Sequence, residues 1–119
     1  MTQYDQMQRL ERVAGLMFQG RLADLKATAR AMQQTKDHLT DLIAKPVNFD
    51  NLAPVALAAA GLRYERWADG KRAELNLTLA RQTADWLDAR DAARVAFGKT
   101  QALDAVKEKM RAATARRLP

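Results

Sequence analysis

The chain has 119 residues, no cysteine, and a formal net charge of +6 with a pI near 10.1. Its length fits a single domain, and the lack of cysteine excludes a disulfide framework, thiolate chemistry and cysteine-based zinc sites. Aromatic residues make up only 6%, while Ala, Leu, Arg, Gln and Lys dominate, a mixture that favours helix over sheet.

The N-terminal residues Met1-Thr2-Gln3-Tyr4-Asp5-Gln6 lack the basic and apolar regions of a signal peptide. The longest apolar run, Val55 to Ala60, is far shorter than a membrane span. A cytoplasmic protein is therefore expected. The basic balance fits an acidic partner surface without specifying one.

Prolines stand only at positions 46, 54 and 119. Proline is the residue that a helix interior tolerates least, so the spacing predicts one helix over 2–45, a corner over 46–54 and a second helix over 55–117. The fold class is all-α: two long helices forming an antiparallel coiled-coil hairpin, the second helix longer.

Thr2 is placed as N-cap of the first helix, with Asp5 three residues on. The apolar stripe then steps through Met7, Leu10, Ala14, Phe18, Leu22, Leu25, Ala29, Met32, Lys36, Leu39 and Ile43. A four-residue step inserted near Phe18 makes a stutter. The helix ends before Pro46, because the residue ahead of a proline is pushed out of the α region. In the corner, Asp50 or Asn51 is placed to cap the second helix, with Pro54 in its first turn. Phe49 and Leu52 are expected to fold back over the hairpin end.

The second stripe runs Leu57, Gly61, Tyr64, Ala68, Lys71, Leu75, Leu79, Gln82, Trp86, Ala89, Ala93, Ala96, Thr100, Leu103, Lys107, Met110 and Thr114. Its stutter falls between Lys71 and Leu79. Asp69-Gly70 is the favoured point for a break, which would give three helices. With the turn near position 50, paired positions should sum to about 100, and the two stutters then fall about one turn apart. The same sum leaves Lys99 to Leu118 projecting past the first helix, about 30 Å at 1.5 Å per residue. That segment holds six cations against Asp104 and Glu108, a net +4 of the total +6. It keeps an apolar stripe of Leu103, Val106, Met110 and Ala113, as a basic amphipathic helix that enters a partner would.

Motifs for chemistry are sparse. Gly98-Lys99-Thr100 ends like a phosphate-binding loop, but the glycine needed five residues earlier is Ala93 and the context is helical. His38 is the only histidine and reads as a solvent-facing helix residue. Asp37/Asp41 and Asp85/Asp88 read as solvated ion-pair faces beside Lys36, Arg81 and Arg90. Asn76-Leu77-Thr78 matches a glycosylation sequon with no sign of secretion. No nucleophile–base set exists, so neither catalysis nor a cofactor, metal or small-molecule substrate is expected. Trp67 sits one position off the stripe through Tyr64 and Ala68, where it either covers the corner or belongs to a docking patch.

A small, cysteine-free helical hairpin that opens Leu10-Glu11-Arg12-Val13-Ala14-Gly15-Leu16 resembles the flagellar export protein FliJ and its injectisome counterpart YscO. The resemblance is one of architecture over most of the chain, plus the phrase Leu-x-Arg-Val-x-x-Leu. The chain is shorter than typical FliJ and less rich in Glu and Gln. The resemblance implies a non-enzymatic part of the flagellar or type III protein export apparatus, similar to the central stalk of a rotary ATPase. Members pair their N- and C-terminal helices and insert that end into the pore of a hexameric export ATPase. They also touch the export-gate membrane protein and handle export chaperones, which implies a peripheral position at the inner face of the membrane.

No family residue maps onto particular positions here. Our own assignment for the ring-inserting end is Lys99, Leu103, Val106, Lys107, Lys109, Met110, Arg111, Arg116 and Arg117. Tyr64, Trp67 and Lys71 are assigned to gate contact. Two other classes stay open: a structural coiled coil that homodimerises into a four-helix bundle, and a nucleic-acid-associated protein with a phosphate-contacting basic tail. Against the latter, acidic residues are interspersed through both helices and no aromatic-basic cluster forms a stacking platform.

Overall fold

The computed structural model of the protein describes residues 2–44 and 53–117, which form helices α1 (Gln3–Ala44) and α2 (Pro54–Arg117). They are the two arms of a helical hairpin, as the proline spacing predicts. α1 opens on a reciprocal cap. Thr2 Oγ1 accepts a hydrogen bond from the Asp5 backbone N–H at 3.2 Å, and Asp5 Oδ2 accepts one from the Thr2 N–H at 3.4 Å. α2 opens on Ala53, whose carbonyl accepts the Leu57 N–H at 2.7 Å. Pro54 thus takes the first helical position, where its missing N–H leaves no bond unmade. The expected caps Asp50 and Asn51, and the folding back of Phe49 and Leu52, lie outside the described residues.

The break expected at Asp69-Gly70 does not occur, and α2 runs through it. The Asp69 carboxylate accepts from Arg72 Nη1 at 2.8 Å across the glycine, and Ala68 is buried on the inner face. Packing of that face outweighs the propensity cost of one glycine.

The helices divide into two compact units, one of residues 1–27 with 86–119 and one of residues 28–85. In the first, the Phe18 and Phe97 rings meet at 5.3 Å between centroids, tilted by 42°. In the same unit, Lys107 Nζ donates to Glu11 Oε2 at 3.0 Å. These paired positions sum to 115 and 118, not to about 100, and that shift overturns the expected overhang. Leu103, Lys107 and Met110 are half-buried in the hairpin instead of projecting past it. In the second unit, Leu42 and Ile43 of α1 share a depression with Tyr64, Ala68 and Arg72 of α2. Among the described residues, α1 therefore ends level with the third to fifth turns of α2. The part of α2 left without an α1 residue opposite is its start, where Pro54 to Ala59 are all exposed.

The seam on α2 follows the expected positions from Leu75 through Met110, with Arg72 turned in where Lys71 was expected. On α1 the stripe departs from expectation beyond Leu25, running through Thr28, Met32, Thr35, Leu39 and Leu42, while Ala29, Lys36 and Ile43 are exposed. Thr35 is buried because its hydroxyl is satisfied within its own helix, donating to the Ala31 carbonyl at 3.2 Å. The α1 stutter stands at Ala14–Phe18–Leu22, where it was expected, but that of α2 falls at Tyr64–Ala68–Arg72 instead of between Lys71 and Leu79; the two lie in different units, so the expected match in height fails. Among the described residues, only Ala68, Ala93, Ala96 and Thr35 are buried, and no side chain is fully so.

A methyl group added at Gly70 would meet no heavy atom within 4 Å, and the residue is helical. Gly70→Ala should therefore stabilise the hairpin by about 0.5–1 kcal/mol, through propensity and a less free unfolded chain. Urea unfolding followed by circular dichroism measures it; a neutral or destabilising result would show that α2 is not a regular helix there.

Candidate functional site

The residues assigned to ring insertion gather in the first unit, at the hairpin's paired terminal end. Lys99, Val106, Lys109, Arg111, Arg116 and Arg117 are exposed, while Leu103, Lys107 and Met110 pack toward α1. The shifted register adds two residues that the sequence reading left out. Arg9 and Arg12, both exposed on α1, stand on the same paired end as the basic turns of α2. Their signal was present in the sequence, but a turn centred near position 50 placed them level with the middle of α2. By sequence, the first unit carries 12 basic and 7 acidic residues, a net +5 of the total +6.

One interhelical polar cluster stands within this end. Lys107 Nζ reaches Glu11 Oε2 and lies 5.6 Å from the centre of the Tyr4 ring. The hydrogen bond to the Glu11 carboxylate holds the Lys107 ammonium above its ordinary value. Asp104 acts on the same carboxylate: its interaction with Glu11, with Lys107 second, lowers Glu11, while Glu11 first and desolvation second raise Asp104. One turn on, Glu108 accepts from Arg111 Nη2 at 2.9 Å, which lowers the carboxyl and raises the guanidinium. Among the described residues, Arg9, Arg12, Lys109, Arg116 and Arg117 make no ion pair, so their charges face solvent.

Beside the cluster lies an open groove of about 650 Å³ between the helices of the first unit. Leu10, Val13 and Met17 of α1 and Val95, Ala102 and Leu103 of α2 line it, with Arg21, Asp91 and Lys99 as its polar members. Leu10, Val13, Met17 and Val95 are all at least half exposed. An apolar cleft with few polar groups is shaped for a protein side-chain ridge, and nothing in it resembles an acid/base or nucleophilic set.

The gate candidates come together in the second unit. The Tyr64 and Trp67 rings are 5.8 Å apart and tilted by 34°, and Trp67 remains 57% exposed. Trp67 and Lys71 share a shallow depression with Arg66, Gly70 and Glu74, and Lys71 Nζ lies 3.8 Å from Glu74 Oε2. An exposed, braced tryptophan beside a flexible cation is a feature of protein contact sites.

Among the described residues, no helix is long and apolar enough to cross a membrane, and no three His, Cys, Asp or Glu side chains come together as a metal site would need. Compared with known proteins, the chain matches no family model, no curated protein and no solved structure.

The polar cluster sets a pH dependence. Lys107 is raised in the folded state, so its contribution is complete below its ordinary value of 10.5 and is lost as pH rises through the folded-state value. Glu11 is lowered, so its contribution is present above 4.5 and is lost as pH falls through the folded-state value. Asp104 has the opposite sense: raised, it favours the fold below 3.8 and loses that contribution as pH climbs through its folded-state value. The unfolding midpoint of the wild type should therefore exceed that of Lys107→Met at pH 7, and the gap should close above about pH 10.5. Asp104→Asn, which keeps a donor beside Glu11 and removes the competing charge, should raise the midpoint at pH 7. A gap independent of pH would show that charge plays no part in the Glu11–Lys107 contact.

Proposed function

We propose that the protein is a non-catalytic helical-hairpin component of a flagellar or type III protein export apparatus. In this reading it acts like a central stalk, setting its paired terminal end into the ring of a hexameric export ATPase. The observation that carries the proposal is the pairing itself. The first turns of α1 and the last turns of α2 close on one another through Phe18–Phe97 and Glu11–Lys107, and they present Arg9, Arg12, Lys109, Arg116 and Arg117 outward. Paired N- and C-terminal helices are what the FliJ and YscO resemblance implies for the ring-inserting end, and a cationic end suits an acidic ring lumen. Tyr64, Trp67 and Lys71 offer a second contact, assigned to the export-gate membrane protein, and export chaperones are further partners. In this reading the protein works in the cytoplasm, at the inner face of the membrane.

Truncation after Gly98 would remove Leu103, Lys107 and Met110 from the hairpin, so its effects would mix unfolding with loss of contact. Charge reversal at exposed positions avoids this. The triple variant Lys109→Glu, Arg116→Glu, Arg117→Glu should keep the helical signal of the wild type. It should also lose most of the stimulation of the hexameric ATPase, by about tenfold or more at low salt. Trp67→Ala should leave that stimulation intact and weaken binding to the gate protein. Stimulation unchanged by the triple reversal would overturn the terminal-end assignment. Retention on duplex DNA with a steep salt slope, and no effect on the ATPase, would transfer the basic end to phosphate contact.

A further inference from the structure

The groove of the first unit is apolar and open: Val95 is 59% exposed, with Leu10, Val13 and Met17 beside it.

Charge decides what fits there. Along one face of α2, Asp91, Val95 and Lys99 recur at four-residue steps, and all three line the groove. A step of four residues is about 6 Å of helix, so an acid and a base stand one turn below and one turn above a central valine. Such a stripe is complementary to itself only when inverted. In a parallel copy, Asp91 would face Asp91 and Lys99 would face Lys99. In an antiparallel copy, each Asp91 faces a Lys99. Asp88, one turn before Asp91 on the same face, then flanks the same lysine, while Ala92, Gly98 and Ala102 leave room for two helices at 8–10 Å. Lys99 makes no ion pair within its own chain among the described residues, and Asp91 makes only a 3.9 Å contact with Arg90 Nε.

We infer that a second copy of this chain occupies the groove in an antiparallel, two-fold arrangement whose axis passes at Val95, with Asp91 of each copy opposite Lys99 of the other. The interface is isologous, so it closes at two copies. The inference stands on the groove and its charges and is independent of the export role.

The cysteine-free sequence provides a direct test. Val95→Cys in the full chain should form a disulfide-linked dimer under mild oxidation, because a two-fold axis at that residue brings the two thiols together. Leu77→Cys, equally exposed at 56% but outside the groove, should not. In sedimentation equilibrium the wild type should be a dimer. Asp91→Lys should weaken dimerisation by about tenfold or more, and the double variant Asp91→Lys, Lys99→Asp should restore it. All of these positions are exposed, so an unchanged helical signal confirms folding. A wild type that stays monomeric overturns the inference. So does cross-linking through Leu77→Cys as efficient as through Val95→Cys, or a charge swap that fails to rescue the single reversal.

Discussion

The register of α1 against α2 is the constraint on which the rest of the structure depends. A helix of 42 residues laid on one of 64 can leave its surplus at either end, and the register decides which. Seam residues such as Ala93, Ala96 and Leu103 would tolerate several registers, because one small apolar residue resembles another a heptad away. Two pairs would not. A slip of seven residues would bring Phe18 against Arg90 or Asp104 in place of Phe97, and Glu11 against Thr100 or Thr114 in place of Lys107. The aromatic contact is worth more than its area alone, and a half-buried carboxylate without its cation is costly. The register with pairs summing to about 100 lies some two heptads away and sets Glu11 against Ala89.

Local features were legible in the sequence. α1 ends at Ala44 and α2 starts on Pro54, Thr2 and Asp5 cap α1 as their types demand, and the seam of α2 from Leu75 to Met110 follows its three-four alternation. The register was not legible, because it depends on which distant residues meet, and no periodicity within one helix contains that. The overhang was a consequence of the assumed turn, and it disappeared with it. The second half of the α1 stripe was misread for a different reason. Thr35 and Lys36 are both polar by type, but only the threonine can satisfy itself on its own backbone and enter the seam. Of the candidate site, the cations of α2 were legible and their neighbours Arg9 and Arg12 were not, since proximity across the hairpin follows from register alone.

The seam explains why so much of the surface is left to other tasks. With alanines and a threonine as its most buried members, it holds two helices together but removes little apolar area from water. α2 consequently carries a second stripe, through Val95, Ala102 and Val106, about a third of a turn round from the seam stripe through Ala93, Ala96 and Leu103. A helix that is apolar on two faces shows weak amphipathicity by any single-face measure, which is why the second stripe is easily lost in the sequence.

That division of faces separates adhesion from specificity. A seam of small residues gives little discrimination between one helix and another, so recognition has to reside in what the outer faces carry. In the first unit those faces hold nearly all of the net charge, as unpaired cations toward the terminal end and as an acid and a base placed symmetrically about Val95 toward the middle. A uniformly basic surface would repel a copy of itself, and a neutral apolar one would accept any register. The inverted Asp91–Val95–Lys99 stripe does neither: it attracts a copy in one orientation and penalises the other, while the like-charged terminal end favours a partner of opposite sign.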